Sequence, residues 1–135
     1  MDGGQNGDDR LWWYKARVLN VVDGDTIDLM VDAGFEIYAK KRVRLYGIDT
    51  PEVYGVKKDL EEYAAGKKAS AFTEEWCTRQ ADVVLIRSHD GRALGAASGK
   101  YGRWIVEVFP VGVSPSQSLN AELVSRGLAE AKSYA

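Results

Sequence analysis

Residues 12–32 read WWYKARVLNVVDGDTIDLMVD, in which two apolar stretches flank the dipeptide Asp23-Gly24. An Asp-Gly pair between alternating apolar residues is a strong signal for a β-hairpin. In the second stretch Ile27, Leu29 and Val31 share one face of the strand. The segment therefore predicts two antiparallel strands whose apolar faces point into a core.

A third strand follows this hairpin and ends at Pro51, which has no amide hydrogen for a sheet ladder. The apolar period then becomes helical between residues 60 and 80, and Gly66 is interpreted as the point where the regular helix begins. The predicted apolar stripe of this helix consists of four residues, Ala65, Ala69, Phe72 and Trp76. The four tryptophans are assigned to the core, namely Trp12, Trp13, Trp76 and Trp104.

Residues 82–87 and 104–109 predict two more strands, and residues 118–126 predict a short helix that ends at Gly127. The order is three strands, a helix, two strands and a helix, with no internal repeat. Five antiparallel strands with one interposed helix fit a closed Greek-key barrel of the OB type. The predicted fold class is α+β, mainly β, with a helix between strands 3 and 4 and a short C-terminal helix.

The length of 135 residues indicates one domain, which we place at residues 11–135 behind a flexible acidic tail at residues 1–10. The formal charge of −2 gives no global attraction to nucleic acid, so binding would depend on local positive charge. A single Cys and a single His disfavour a zinc site. We expect a monomer without a membrane segment. The compartment stays open: cytoplasmic, or secreted if a signal peptide has been removed.

Carboxylates cluster where the predicted strands end. Asp25 follows the hairpin turn and Asp49 ends the third strand, so a closed barrel would bring both into one mouth. Two carboxylates, a carbonyl such as that of Thr50, and waters would form an all-oxygen site that suits Ca²⁺ or Mg²⁺. Taken alone, the segment Asp23-Gly24-Asp25 is explained at least as well by a good turn.

Two further residues have two interpretations each, and a third adds positive charge. Glu52 can accept a proton from water, or it is a solvated loop residue. Arg44 can present a planar fork to phosphate oxygens at the same mouth, or it pairs with an acid such as Asp28. Arg103 supplies a second arginine beside Lys100 and Tyr101, in a segment that precedes the fifth strand.

Together the motifs resemble the staphylococcal nuclease family. They are Val22-Asp23-Gly24-Asp25-Thr26, the segment from Arg44 to Glu52, Lys100-Tyr101-Gly102-Arg103, and Glu122-Leu123-Val124-Ser125-Arg126-Gly127-Leu128-Ala129. The resemblance implies an OB barrel and calcium-dependent hydrolysis of DNA and RNA at the 5′ P–O bond, leaving 3′-phosphates. Single-stranded DNA or RNA is the implied substrate.

The same resemblance implies a role for each site residue. The calcium ligands would be Asp25, Asp49 and the backbone carbonyl of Thr50, with Asp23 acting through water. The catalytic residues would be Glu52 as general base and Arg44 and Arg103 as the phosphate-binding pair, and substrate would also contact Lys100, Tyr101 and Tyr134. The chain departs from the family at Gly99, where an acid usually stands, and at Ser133, where the family has the tyrosine that lines its base pocket. Tyr134, one residue away, is assigned to that contact. The main alternative is a catalytically inactive OB module that binds nucleic acid, and a third is a protein-interaction barrel.

Overall fold

The computed structural model describes residues 12–51, 61–89, 104–112 and 117–133. The barrel strands are β1 (Trp13–Asp23), β2 (Thr26–Asp32), β3 (Tyr38–Leu45), β5 (Val83–His89) and β6 (Trp104–Pro110). Two short strands, β4 (Ile48–Asp49) and β7 (Glu130–Ala131), pair with each other beside the barrel. The helices are α1 (Glu61–Arg79) and α2 (Leu119–Ser125). The predicted order of barrel strands and helices is confirmed. The third strand, however, ends at Leu45 and not before Pro51, and Asp49, which the sequence predicts at its end, lies in the separate strand β4.

The barrel closes in the order β1-β2-β3-β6-β5. Four of its five neighbouring pairs are antiparallel, and β3 and β6 pair in parallel from Val43 opposite Trp104 to Leu45 opposite Val106. The expectation that all strands pair antiparallel was therefore wrong at this one pair. A closed ring with an odd number of strands cannot alternate direction all the way round, so one pair has to be parallel.

Alternation along the strands fills the barrel with apolar side chains, as the pattern of β2 predicts. Ile27, Leu29 and Val43 are at most 1% exposed. The remaining buried apolar residues of the barrel strands are Ala16, Val18, Leu45, Val84, Ile86, Ile105, Val106 and Val108. The core is thus continuous across all five strands.

Helix α1 covers one side of the barrel, but its predicted start and stripe need correction. The helix begins at Glu61, and Gly66 lies inside it on the buried face. That buried face consists of Gly66, Ala69, Thr73, Trp76 and Cys77. Ala65 and Phe72 are only half-buried because the face is rotated toward Thr73 and Cys77. Small residues on this face let the helix approach the barrel closely.

Two of the tryptophans assigned to the core are at the surface. Trp12 and Trp104 are 54% and 50% exposed, whereas Trp76 is buried. Trp104 opens β6, where Lys41 lies over its ring at 5.0 Å from the centroid. A lysine side chain, rather than the core, therefore covers this aromatic surface.

Helix α2 has the ends that the sequence predicts. Ser118 is its N-cap and accepts a hydrogen bond from the amide of Ala121 at 3.0 Å. Gly127 follows the C-cap with a φ of +74°, a conformation that glycine adopts without strain. Within the described ranges, no helix is long and apolar enough to cross a membrane.

Candidate active site

The candidate site lies at one end of the barrel, where the β1–β2 turn meets the end of β3. The two segments are joined by the backbone, because the amide of Leu45 donates to the carbonyl of Asp25 at 2.9 Å. In the β2–β3 register Thr26 is opposite Arg44. The DGDT motif and the segment that begins at Arg44 therefore form one surface, as the sequence predicts.

Asp25 is a buried carboxylate with a fixed orientation. It is 6% exposed, and its Oδ2 accepts from the backbone amide of Thr50 at 3.0 Å. The hydroxyl of Thr26 donates to the other oxygen, Oδ1, at 3.1 Å. Sequence reasoning missed both of these donors, although Thr50 directly precedes a proline that ends the strand segment. The hydrogen bond from the Thr50 amide connects the β1–β2 turn to the residue after β4.

Arg44 brings the two predicted metal-binding carboxylates to one point. Its Nη2 contacts the carboxylate of Asp49 and lies 3.6 Å from Oδ2 of Asp25. The guanidinium is 13% exposed, and the same nitrogen reaches the carbonyl of Ile48 at 3.5 Å. Asp25, Asp49 and Arg44 thus meet at the mouth, as the sequence predicts.

The alternative in which Arg44 pairs with Asp28 is wrong. Asp28 accepts from Nε and Nη2 of Arg42 at 2.8 and 3.1 Å, on the outside of the barrel. The register explains this, because Asp28 lies directly opposite Arg42 and two residues from the row of Arg44. The Arg42 pair lowers the pKa of Asp28.

The guanidinium of Arg44 has one nitrogen without a hydrogen-bond acceptor among the described residues. This nitrogen is Nε, and it is buried. A buried donor left unpaired costs about 1–3 kcal/mol, so an additional oxygen acceptor on this edge of the guanidinium would be stabilising. A phosphate offers such oxygens in the matching geometry.

Burial and a neighbouring carboxyl shape the titration of the two turn aspartates. Burial, together with a shared hydrogen bond and the negative charge of Asp25, raises the pKa of Asp23 to about 7. Burial acts to raise the pKa of Asp25 as well, but the hydrogen bonds from Asp23 and from the Thr50 amide, with the charge of Arg44, lower it below its ordinary value. Asp25 is therefore the ionised member of the pair.

The donor chemistry at the mouth fits a hard cation. The side chains that converge there offer only oxygen ligands, and Asp25 and Asp49 already hold a positive charge between them in the form of Arg44. Among the described residues no group of three or more His, Cys, Asp or Glu side chains forms a metal site. These two carboxylates would thus provide part of a calcium shell, which carbonyls and waters commonly complete.

Helix α1 supports the turn from behind, and the sequence did not reveal this. The hydroxyl of Thr73 is fully buried and donates to the carbonyl of Gly24 at 2.9 Å. A Cβ built on Gly24 would lie 2.7 Å from Cβ of Ala69 and 2.9 Å from Cγ2 of Thr50. Gly24 is thus required by close packing rather than by a positive φ. The sequence signal that was available is the run of small residues along α1.

An open cleft of about 360 Å³ adjoins the mouth. One wall carries Asp49, Thr50 and Pro51, and the facing side consists of Glu62 and residues 127–130. Lys132 lies near it, with its Nζ 3.9 Å from Oδ1 of Asp49. The cleft gives an extended ligand access to the carboxylates from the side of α2.

Five predicted site residues lie outside the described residues. They are Glu52, Lys100, Tyr101, Arg103 and Tyr134. The other predicted site residues lie within the described ranges, namely Asp23, Asp25, Arg44, Asp49 and Thr50. The tail predicted at residues 1–10 is also outside the described residues.

A model of the family described as "Staphylococcal nuclease homologue" matches residues 42–135. The chain belongs to the staphylococcal nuclease family. The match covers the Arg44 segment of the mouth and extends through both helices. The resemblance drawn from the sequence motifs is therefore confirmed.

Three relatives illustrate how much of the chain is matched. A thermonuclease of Staphylococcus intermedius is 37% identical over 117 residues, which cover 87% of this chain and 59% of the relative. An uncharacterised protein of Methanocaldococcus jannaschii is 26% identical over 130 residues, covering 86% of this chain and 58% of the relative. An uncharacterised protein of Bacillus anthracis is 34% identical over 99 residues, which cover 73% of this chain and 40% of the relative. The chain thus spans between 40% and 59% of the length of these relatives.

Proposed function

We propose that the protein is a calcium-dependent nuclease that hydrolyses single-stranded DNA or RNA at the 5′ P–O bond and leaves 3′-phosphates. One observation carries this proposal: Arg44 is held between Asp25 and Asp49 at the barrel mouth, and its buried Nε has no acceptor among the described residues. The similarity to a thermonuclease supports the same reaction class.

In the proposed site, calcium would be held by Asp25, Asp49 and the backbone carbonyl of Thr50, with Asp23 contributing through water. When bound, the ion would supply Lewis-acid stabilisation of negative charge on the phosphoryl oxygens. The amide of Thr50 and the hydroxyl of Thr26 keep the Asp25 carboxylate oriented toward the mouth. The Asp25 carboxylate is thus oriented before any substrate arrives and does not itself have to reorient during the reaction.

The remaining roles fall to residues that handle protons and phosphate. Glu52 would accept the proton of the attacking water, which is general-base catalysis. Arg44 would exchange its contact with Asp49 for a contact with a phosphate oxygen and would pair its free Nε at the same time. Arg103 would supply the second positive charge, and substrate contacts are proposed for Lys100, Tyr101 and Tyr134.

The test is cleavage of a 5′-labelled single-stranded oligonucleotide in Ca²⁺ and in EGTA. Products should appear only in Ca²⁺ and should carry 3′-phosphates, detected by their shift after phosphatase treatment. We expect Glu52→Gln to lower turnover by about 10²–10⁴-fold with nearly unchanged oligonucleotide affinity. Arg44→Lys should lower turnover by about 10²–10³-fold, since an ammonium keeps the charge but loses the two-pronged geometry.

Matched controls on the exposed face of α1 are Glu75→Gln and Arg79→Lys, which repeat the same chemical changes away from the mouth. Calcium binding is measured separately by calorimetry and by thermal unfolding, where Ca²⁺ should raise the melting temperature and Asp25→Asn should abolish the shift. If the wild-type protein binds the oligonucleotide but leaves it uncut in Ca²⁺ over hours, the enzyme assignment is wrong. The inactive OB binding module then replaces it.

A further inference from the structure

Positive charge is concentrated on the outer wall of the barrel, on strands β1, β2 and β3. Along β1 the side chains of Ala16 and Val18 are buried, and those of Lys15 and Arg17 are exposed. In the sheet register Arg17 is opposite Met30, which in turn is opposite Lys40. These residues therefore form one row across three strands.

A second row runs parallel to the first, one step closer to the β2–β3 hairpin. Lys15 is opposite Asp32, and Asp32 is opposite Tyr38. Between the rows lies a shallow groove of about 240 Å³ whose lining includes Lys15, Arg17, Met30, Asp32 and Tyr38. Tyr38 is 60% exposed, so its ring is available beside the groove.

The two aspartates of this wall do not cancel its positive charge. Asp28 accepts two hydrogen bonds from Arg42, and Oδ1 of Asp32, which lines the groove, accepts from the amide of Gly34 at 2.9 Å. Lys15 and Arg17 in the groove and Lys40 beside it are exposed, and none of them is in an ion pair with another described residue. With Arg42 these cations exceed the two aspartates by two charges, which in a chain with a formal charge of −2 is a local excess of positive charge that suits a polyanion.

Strand β3 connects the groove to the candidate active site. Lys40 and Arg44 lie on the same strand four residues apart, which corresponds to about 13 Å. Arg42 lies between them with its side chain 57% exposed. A single strand with one phosphate at Arg44 can therefore continue along β3 and reach the groove within a few nucleotides.

We propose that this groove is a second binding surface, which holds the backbone of single-stranded nucleic acid outside the active site. Lys15, Arg17 and Lys40 contact phosphates, and Tyr38 offers a ring on which a base stacks. The proposal rests on the proposed function, since the bound strand is the substrate of that site. Its consequence is a preference for strands long enough to reach both surfaces.

The test compares a long and a short ligand by fluorescence anisotropy in EGTA. The ligands are fluorescein-labelled oligothymidylates of twelve and of two nucleotides. The groove variant carries Arg17→Gln and Lys40→Gln, and the control carries Lys67→Gln and Lys68→Gln on the exposed face of α1, with the same loss of charge. Unfolding curves establish that all variants are folded, and Lys15→Gln and Tyr38→Leu serve as additional single variants.

We expect the groove variant to bind the long strand about tenfold more weakly than the control at 0.15 M salt. The slope of log affinity against log salt should fall by about 1.4, which is the loss of two phosphate contacts on a single strand. The affinity for the short ligand should fall no further in the groove variant than it does in the control variant. The proposal would be overturned if the groove and control variants lost the same affinity for the long strand. It would also be overturned if the groove variant lost the same affinity for both ligands.

The failure of this inference can be distinguished from that of the proposed function. A wild-type protein that cleaves, combined with a groove variant that behaves like the control, eliminates the groove alone. A wild-type protein that binds the long strand through the groove but does not cleave eliminates the nuclease assignment alone. A wild-type protein that does not bind the long strand in EGTA and does not cleave it in Ca²⁺ eliminates both.

Discussion

Replacement of Gly24 by alanine tests how closely helix α1 supports the active-site turn. The new Cβ would lie 2.7 Å from Cβ of Ala69 and 2.9 Å from Cγ2 of Thr50. Neither neighbour is the end of a flexible side chain, since Ala69 is on the helix and Thr50 is 8% exposed. The turn and the helix therefore have to move apart by several tenths of an ångström.

The expected cost has two parts. Overpacking of a tight contact typically costs about 1–3 kcal/mol. The hydrogen bond from Thr73 to the carbonyl of Gly24, 2.9 Å long, would be stretched and would lose up to about 1 kcal/mol. We therefore expect Gly24→Ala to lower the free energy of unfolding by about 2–4 kcal/mol, which for a chain of this size is a melting temperature lower by roughly 10 °C.

A double-mutant cycle measured by urea denaturation identifies the cause. Ala69→Gly removes the nearer atom, so in the Gly24→Ala background it should recover part of the loss, with a coupling energy of about 1–2 kcal/mol. The control is Ala71→Gly on the exposed face of α1, which should cost about 1 kcal/mol in either background. A Gly24→Ala variant that is as stable as the wild type, or an additive cycle with Ala69→Gly, would refute the packing argument.

Two further predictions concern buried polar groups. Asn120 bonds three backbone groups, those of Val108, Tyr46 and Val106. Asn120→Ala should therefore lower the free energy of unfolding by about 3 kcal/mol in urea denaturation, whereas Gln117→Ala, at an exposed site, should change it by less than about 0.5 kcal/mol. Burial, with the charges of Asp82 and Glu74, raises the pKa of Cys77 to about 12, so the folded protein should not react with DTNB at pH 8 and should react fully in denaturant. Rapid labelling of the folded protein would contradict this assignment.

Much of the fold follows from local sequence signals. The β1–β2 hairpin, the position of α1 between the third and fourth barrel strands, and both ends of α2 are each specified within about ten residues, by alternation, helical period or capping. The helix face was harder to predict, because Thr73 and Cys77 are not strongly apolar and their burial depends on the barrel wall opposite them. The parallel closure of β3 on β6 depends on the whole ring, so no local pattern encodes it.

The candidate site shows the same division between local and long-range information. The motifs place Asp25, Asp49 and Arg44 at strand ends, and the structure brings these three side chains together. The donors that fix Asp25 were not predicted, because a backbone amide such as that of Thr50 has no signature in the residue type. Gly24 was interpreted as a turn residue, whereas its contact with Ala69 joins positions 45 residues apart in the chain.

The charges at the mouth explain why the proposed ion and the proposed substrate should depend on each other. With Asp25 and Asp49 ionised, the guanidinium of Arg44 and the ammonium of Lys132 balance their two negative charges. A divalent cation would leave this group with two excess positive charges, and a phosphodiester would remove one of them. Because the side chains of Asp25 and Arg44 are largely buried, excess charge beside them is costly, and a phosphate next to the ion lowers that cost. The proposed assignment therefore favours weak calcium binding by the protein alone and tighter binding when a nucleotide phosphate occupies Arg44.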